Sequence, residues 1–216
     1  APVISSAVQS GATAEDGPLT AAGTVSASDV DHDAVLSFTG NASGSYGSFT
    51  VDASTGAWLY TMSNTQSLSA TDRFTETFTV TVTDDQGATT TQDVTITVTG
   101  TNDAPVISSA AQSGATAEDG PLTAAGTVSA SDVDHDAVLS FTGDATGTYG
   151  SFTVDASSGA WLYTMTNSQS LSANDRFTET FTVTVTDDKG ATTTQDVTIT
   201  VTGTNDAPTL SIDKGA

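Results

Sequence analysis

Phe78-Thr79-Val80-Thr81-Val82-Thr83-Asp84-Asp85-Gln86-Gly87 is followed, after six further residues, by Val94-Thr95-Ile96-Thr97-Val98-Thr99. In both runs apolar residues alternate with Thr. That period of two belongs to a strand with one face on a core and the other in water. Between the runs, Asp84-Asp85-Gln86-Gly87 supplies a short, glycine-bearing hairpin connection. The stretch predicts a β fold.

Working outward, Ser48-Phe49-Thr50-Val51 and Ala57-Trp58-Leu59-Tyr60 flank Asp52-Ala53-Ser54-Thr55-Gly56, a second hairpin. Residues 19–27 and 34–38 predict two strands around Ser28-Asp29-Val30-Asp31-His32-Asp33, and residues 3–7 supply the first. Seven short strands with turn signals between them predict an all-β, immunoglobulin-like sandwich. With no cysteine in the chain, core packing alone must hold it. The expected core is Val25, Val35, Phe49, Val51, Trp58, Tyr60, Phe78, Val80, Val82, Val94, Ile96 and Val98. Exposed aromatics could stack on sugar rings, but the alternation around Trp58 and Tyr60 points them inward.

The pattern then returns. Ala1-Pro2-Val3-Ile4 reappears as Ala104-Pro105-Val106-Ile107, and Gly100-Thr101-Asn102-Asp103-Ala104-Pro105 as Gly203-Thr204-Asn205-Asp206-Ala207-Pro208. At an offset of 103, the two copies differ at nine positions, among them Asn41/Asp144, Thr71/Asn174 and Gln86/Lys189. The expectation is two tandem sandwiches, 1–103 and 104–206, joined by a short linker, with 207–216 as the start of a third repeat or a tail. The period is too long for a solenoid and suits self-contained modules.

Of the 216 residues, 26 are acidic and four basic (Arg73, Arg176, Lys189, Lys214), a net charge of −22. Nucleic acid and anionic membrane surfaces both demand Lys and Arg, so neither is an expected partner. No apolar run reaches membrane-spanning length and no secretory leader opens the sequence, which therefore reads as an internal piece of a longer protein. Absence of cysteine in a β module favours a bacterial over an animal exterior. Cations are the natural partner of such a chain.

Position sharpens that reading. In a seven-stranded sandwich with reversing strands, Asp29, Asp31, Asp33, Asp52, Asp84 and Asp85 fall at the pole where the chain enters. Glu15, Asp16, Asp72, Asn102 and Asp103 fall at the pole where it leaves. End-to-end stacking would set this second group against Asp132, Asp134, Asp136, Asp187 and Asp188 of the next unit. Bare carboxylates at that density repel by roughly 1 kcal/mol per close pair in water. A hard divalent ion resolves the conflict. Calcium, with its flexible shell of oxygens, suits a sprawling site better than magnesium does. An EF-hand is excluded, because its required Gly and Glu are replaced by Ala34 and Gly40.

These residues also carry a family resemblance. The unit resembles the VCBS repeat, a cadherin-like module of large RTX-type bacterial adhesins. The likeness rests on Glu15-Asp16-Gly17, the stretch from Gly23-Thr24-Val25 to Asp29-Val30-Asp31, Tyr46-Gly47-Ser48-Phe49, Gly56-Ala57-Trp58-Leu59-Tyr60 and Thr99-Gly100-Thr101-Asn102-Asp103. Ser28-Asp29-Val30-Asp31, Asp72-Arg73, Thr83-Asp84 and Asn102-Asp103-Ala104-Pro105 are similar to the calcium motifs of animal cadherins. The resemblance implies calcium held between successive domains of an extracellular stalk. Glu15 and Asp72 would ligate from one side, Asn102 and Asp103 from the linker, and Asp132, Asp134 and Asp187 from the other, with Asp16, Asp136 and Asp188 in reserve. Asp29, Asp31 and Asp84 would form a half-site at the N-terminal pole, and Glu118, Asp175, Asn205 and Asp206 one at the far end. Phe74, Gly100 and Ala104 stand where cadherins carry oxygen ligands, so fewer ions per junction are expected.

The function expected is a non-catalytic, calcium-stiffened extender of a bacterial cell-surface adhesin, serving adhesion or biofilm formation. It would be exported by type I secretion and monomeric, its partners being calcium and neighbouring repeats. The alternative is a calcium-dependent, lectin-like carbohydrate-binding module. An enzyme is the weakest reading, since no thiol, Ser-His-Asp set or phosphate loop is present. His32 and His135 lack the companions zinc needs. Glu76 and Asp93, on strand faces, read as solvated charge.

Overall fold

The computed structural model describes residues 1–63, 67–166, 171–208 and 210. The chain divides into two compact units, Ala1–Asp103 with Val133–Asp136, and Ala104–Asp132 with Ala137–Ala216. In the first unit the strands are β1 (Val3–Ile4), β2 (Gln9–Ala14), β3 (Thr20–Thr24), β4 (Ala27–Ser28) and β5 (Ser37–Thr39). They continue with β6 (Ala42–Ser43), β7 (Gly47–Val51), β8 (Ala57–Met62), β9 (Arg73–Thr83) and β10 (Thr89–Thr99). Strands β11 (Val106–Ile107) to β20 (Thr192–Thr202) repeat this series in the second unit, and no helix occurs among the described residues.

Each unit is a sandwich of two four-stranded sheets, ordered β2-β10-β9-β5 and β3-β8-β7-β6 in the first, with β1 paired to β4. The long hairpin β9–β10 pairs Arg73 with Thr99 through to Thr83 with Thr89. Its inward residues are the apolar members of the opening motif: Phe78, Val80, Val82, Val94, Ile96 and Val98 are all buried. The Thr residues between them face outward, exposed or half-buried. Alternation thus converts directly into a two-faced sheet.

The opposite sheet supplies the aromatics. Phe49 lies 4.7 Å from Phe78 in a stacked pair and 5.7 Å from Trp58. Trp58 and Tyr60 are 2% and 0% exposed, so neither ring is available to a sugar. Trp58 Nε1 donates to Gln9 Oε1 at 3.2 Å, which satisfies the one polar atom of that ring. Gly23 lets the backbone pass over the indole, where a Cβ would stand 2.6 Å from a Trp58 ring carbon. The second unit repeats the cluster around Trp161, Tyr163, Phe152 and Phe181.

Several expectations need correction. Val35 is 68% exposed, not core, because the strand begins only at Ser37 and parity sends Leu36 and Phe38 inward. Val51 is only half-buried. The first strand is two pieces: β1 pairs with β4, and β2, where no strand is expected, pairs in parallel with β10. Residues 19–27 likewise break after Thr24, where the Val25 N–H turns to the Gly56 carbonyl at 2.9 Å.

Glu76 is not merely solvated charge. Strand β5 accompanies β9 only from Thr81 to Thr83, after which the chain crosses at Gly40 to the other sheet. Glu76 fills the space left open. Its Oε2 accepts from the Tyr60 hydroxyl at 2.5 Å and its Oε1 from the Tyr46 N–H at 3.2 Å. Desolvation, then the neighbouring carboxylate, pushes the Tyr60 phenol well above the ordinary tyrosine value. Glu179 treats Tyr163 in the same way at 2.5 Å. Asp93 is exposed and accepts from Thr79 Oγ1 at 2.6 Å.

Candidate metal-binding poles

At the N-terminal pole of the first unit, the loop after β4 and the β9–β10 turn bring Asp29 and Asp84 together. Asp29 Oδ1 accepts from the Asp31 N–H at 3.0 Å, an Asx-type turn. Asp84 Oδ1 accepts from the Gln86 and Ala88 N–H groups at 3.0 and 2.8 Å, and so builds its hairpin. The two side chains are 1% and 5% exposed. The Asp31 N–H holds the Asp29 carboxyl below the ordinary aspartate value against the pull of desolvation.

Other acids of this pole have different work. Asp52 Oδ1 accepts from the N–H and hydroxyl groups of both Ser54 and Thr55, at 2.7 to 3.0 Å. Those bonds, the hydroxyls first, lower its pKa to about 2. Asp31 and Asp33 are exposed, and Asp33 holds a left-handed backbone (φ 65°), which short Asp side chains tolerate. His32 is exposed beside Asp33, as expected of a loop histidine.

The second unit carries the same turn chemistry. Asp187, buried, accepts through Oδ1 from the N–H groups of Lys189, Gly190 and Ala191 at 2.6 to 2.9 Å. Asp132 is half-buried, Asp134 buried and Asp136 exposed. Asp188 is engaged by Lys189 Nζ and by the Val138 N–H, and those hydrogen bonds, the lysine's first, keep its carboxyl below the ordinary value.

At the C-terminal pole, Glu15 is the organising residue. It follows β2, and its carboxylate is buried, with the residue 3% exposed. Oε1 accepts from the Leu68 N–H and Oε2 from the Thr101 N–H, each at 3.1 Å. One side chain therefore ties three segments together. Asp72 Oδ2 accepts from the Ser69 N–H at 2.9 Å, and its carbonyl from the Gly100 N–H at 3.0 Å. Asp16 Oδ2 accepts from Thr101 Oγ1 at 2.8 Å, while Asn102 Nδ2 donates to the Asp103 carbonyl at 2.8 Å. Glu118, Asp175, Asp119 and Asn205 repeat these contacts in the second unit.

The donor set suits a hard cation. Burying an ionised carboxylate without a counter-charge costs several kcal/mol, and among the described residues no Lys, Arg or His pairs with Glu15 or Glu118. At the other pole Asp29 and Asp84 bring two nearly buried carboxylates together. Among the described residues, however, no three Asp, Glu or His side chains gather closely enough to enclose an ion by themselves. Further oxygens from backbone, amide or water would be needed, as calcium permits.

Comparison with known proteins shows the family and the fold. The bacterial cadherin-like domain model matches residues 1–100 and again 102–203. No protein of curated function matches the chain. Among solved structures it is similar to domains 3–6 of protocadherin gamma B2, at 16% identity and TM-score 0.54, over 93% of this chain and 47% of that one. Domains 1–5 of the same protein match at 17% identity and TM-score 0.52, over 94% of this chain and 39% of that one. Mouse cadherin-23 EC22-24 matches at 21% identity and TM-score 0.47, over 94% and 64%. The chain thus spans about half the length of such structures, and at these identities the likeness shows the fold alone. With two matched copies that together cover nearly all of its length, the chain belongs to the bacterial cadherin-like domain family.

Proposed function

We propose that the chain is a non-catalytic, calcium-stiffened extender from a large bacterial surface adhesin of the VCBS and RTX type. It spaces a binding end from the cell, outside the cell, after type I secretion. The repeat runs 1–103 and 104–206; residues 207–216, a third repeat or tail, lie mostly outside the described residues.

The observation that carries this reading is the pair Asp29 and Asp84, side chains 1% and 5% exposed at one pole, each tied to its turn through Oδ1. In the second copy, Asp132 and Asp187 take those positions and Ala104 takes that of Ala1, directly after Asn102-Asp103. Chain continuity therefore supports one calcium locus fed by Glu15, Asp16 and Asp72, by the linker, and by Asp132, Asp134, Asp136 and Asp187. The other half-sites are Asp29, Asp31 and Asp84, and Glu118, Asp175, Asn205 and Asp206. When bound, calcium supplies charge neutralisation and cross-linking. The protein's part is to pre-set the carboxylates: Asp29 and Asp84 each hold a turn N–H through Oδ1 and would offer Oδ2 to the ion, while Glu15 fixes Leu68 and the linker, one through each oxygen. Extracellular modules bind calcium at about 10⁻⁴–10⁻³ M, so the sites would fill outside a cell and not within it.

Solution X-ray scattering of the whole chain, in millimolar calcium and then in chelator, tests the reading. A rod of fixed length in calcium, giving way to a mixture of compact and extended forms on chelation, is expected. Coincident profiles would overturn the extender role and direct attention to a sugar-binding module.

A further inference from the structure

We propose that the free edge of β9, with Glu76 on its inner face, is a docking groove for an extended segment of a basic partner protein. That segment adds a strand to the sheet and seats a lysine or arginine on the carboxylate. Residues 176–182 of β19, with Glu179, form a second copy of the groove.

The edge is free because β5 is short. It pairs with β9 only at Thr81, Val82 and Thr83, whereas β9 begins at Arg73. Backbone groups along an antiparallel strand point alternately to its two sides. Thr79 fixes the parity, since its carbonyl oxygen points toward Gly40, where a Cβ would stand 2.9 Å from it. Thr75 and Thr77 therefore turn their N–H and C=O groups to that same side, away from β10, and no described strand pairs with them there. Across a groove from this edge lie residues 42–45, which include β6, the edge strand of the opposite sheet. In the second unit residues 145–148 face residues 179–181 in the same way. A strand edge with unpaired donors and acceptors is a template for another extended chain.

Parity also sets what that chain must carry. Directly opposed residues of neighbouring strands share a face. A residue added opposite Glu76 enters the groove, and those two places to either side of it stand opposite Phe74 and Phe78. The residues between them meet Thr75 and Thr77 on the outer face. Phe74 is half-buried and stacked on Tyr46 at 4.6 Å, and Phe78 lines the groove. The matching pattern is apolar, any, basic, any, apolar. Its central charge is pre-set: Glu76 accepts from the Tyr60 hydroxyl and the Tyr46 N–H, and at Gly44 any Cβ would collide with Oε1. A carboxylate has about four acceptor sites, so two bonds leave capacity for an ammonium or guanidinium.

Charge complementarity makes the occupant a protein other than this one. An inward-pointing carboxylate on a free edge rejects acidic and purely apolar strands, and this chain carries a net charge of −22. Among the described residues its basic side chains are Arg73, Arg176 and Lys189. The first two are exposed, on the outward parity of β9 and β19, and the third lies in a turn. A strand from a second copy thus brings no inward basic residue to Glu76. None of the groove residues belongs to the acidic poles, so the groove stands apart from the extender reading and needs no calcium.

The probe is the peptide acetyl-Thr-Val-Thr-Lys-Thr-Val-Thr-amide, whose side chains read the same in both directions, so that no strand polarity is assumed. The control, acetyl-Thr-Val-Lys-Thr-Thr-Val-Thr-amide, has the same composition and charge but sets lysine on the face opposite the valines. Each is titrated into the isotope-labelled whole chain in chelator and followed by nuclear magnetic resonance. The first peptide is expected to saturate one site per unit, shifting the amides of Thr75, Thr77, Thr178 and Thr180 and slowing their hydrogen exchange. The control should bind about tenfold more weakly or worse, the loss of one charged hydrogen bond. Glu76→Gln should weaken the first-unit site alone by a similar factor, and so should Thr77→Pro, which removes a donor only from the free edge. The second unit serves as the reference in both variants. Equal affinity for the two peptides, shifts confined to the acidic poles, or no saturable shift at the four amides up to millimolar peptide would overturn the proposal. So would an undiminished first-unit site in both variants. Coincident scattering profiles with and without calcium would remove the extender role and leave these results as they are.

Discussion

Replacing Glu76 with Leu should destabilise the first unit far more than its half-exposed position suggests. The carboxylate accepts a 2.5 Å bond from Tyr60, a residue 0% exposed. Loss of a bond to a charged acceptor costs about 1.5–3 kcal/mol, more than a neutral bond, because the buried hydroxyl is left unpaired. The Tyr46 N–H, at 3.2 Å and nearer solvent, adds about 1 kcal/mol. The sum is about 2.5–4 kcal/mol. For a domain of about 100 residues each kcal/mol moves the melting point by about 4–8 °C, so a fall of roughly 10–30 °C is expected. Glu179 leaves the second unit as an internal reference, and scanning calorimetry of the variant should resolve two transitions with the upper one unmoved. Glu76→Gln, which retains an acceptor, should lose much less. A double-mutant cycle with Tyr60→Phe should return a coupling of about 1.5–3 kcal/mol. A single transition displaced by only a degree or two would refute the reasoning, since it would mean that water satisfies Tyr60 unaided.

Three further outcomes follow from the same geometry. Val35→Thr should change stability by no more than about 0.5 kcal/mol, whereas Phe38→Ala, three positions on, should cost about 3–5 kcal/mol in urea unfolding. The reverse order would put the strand in the other register. Tyr60 and Tyr163 resist ionisation in the fold, so stability should be intact below pH 10 and fall as pH rises beyond it. Tyr60→Phe should flatten that fall for the first unit, as followed by circular dichroism. Asp52 and Asp155 have pKa values lowered from 3.8 to about 2, and their stabilising effect should be complete above pH 4 and vanish as pH drops toward 2. Acid titration of Asp52→Ala with Asp155→Ala should be shallower across that window, and an unchanged curve would show these turns to be irrelevant to acid unfolding.

Local pattern carried a large part of this protein. The Thr alternation of 78–83 and 94–99 determined strands, the buried face and the hairpin between them, because a strand's period is a property of the backbone and needs no neighbour. The 103-residue repeat and the Asp-bearing turns were equally legible, since repetition and turn chemistry are written in adjacent residues. Strand partners were another matter. That β2 exists at all, and lies parallel to β10, comes from a Gly- and Ala-rich run whose own signal is weak and whose place is set by Trp58, Ile96 and the last strand. Val35 reads as core by composition, yet one residue of parity turned it outward. Glu76 reads as a surface charge on an alternating strand, and only the crossing of the chain at Gly40 gave it a buried hydroxyl to hold. Burial of Glu15 follows the same rule: its two partners, Leu68 and Thr101, are distant in sequence. Periodicity and turns are local and could be read; pairing, register and the partners of buried charges depend on which segments meet, and the tertiary structure alone decided them.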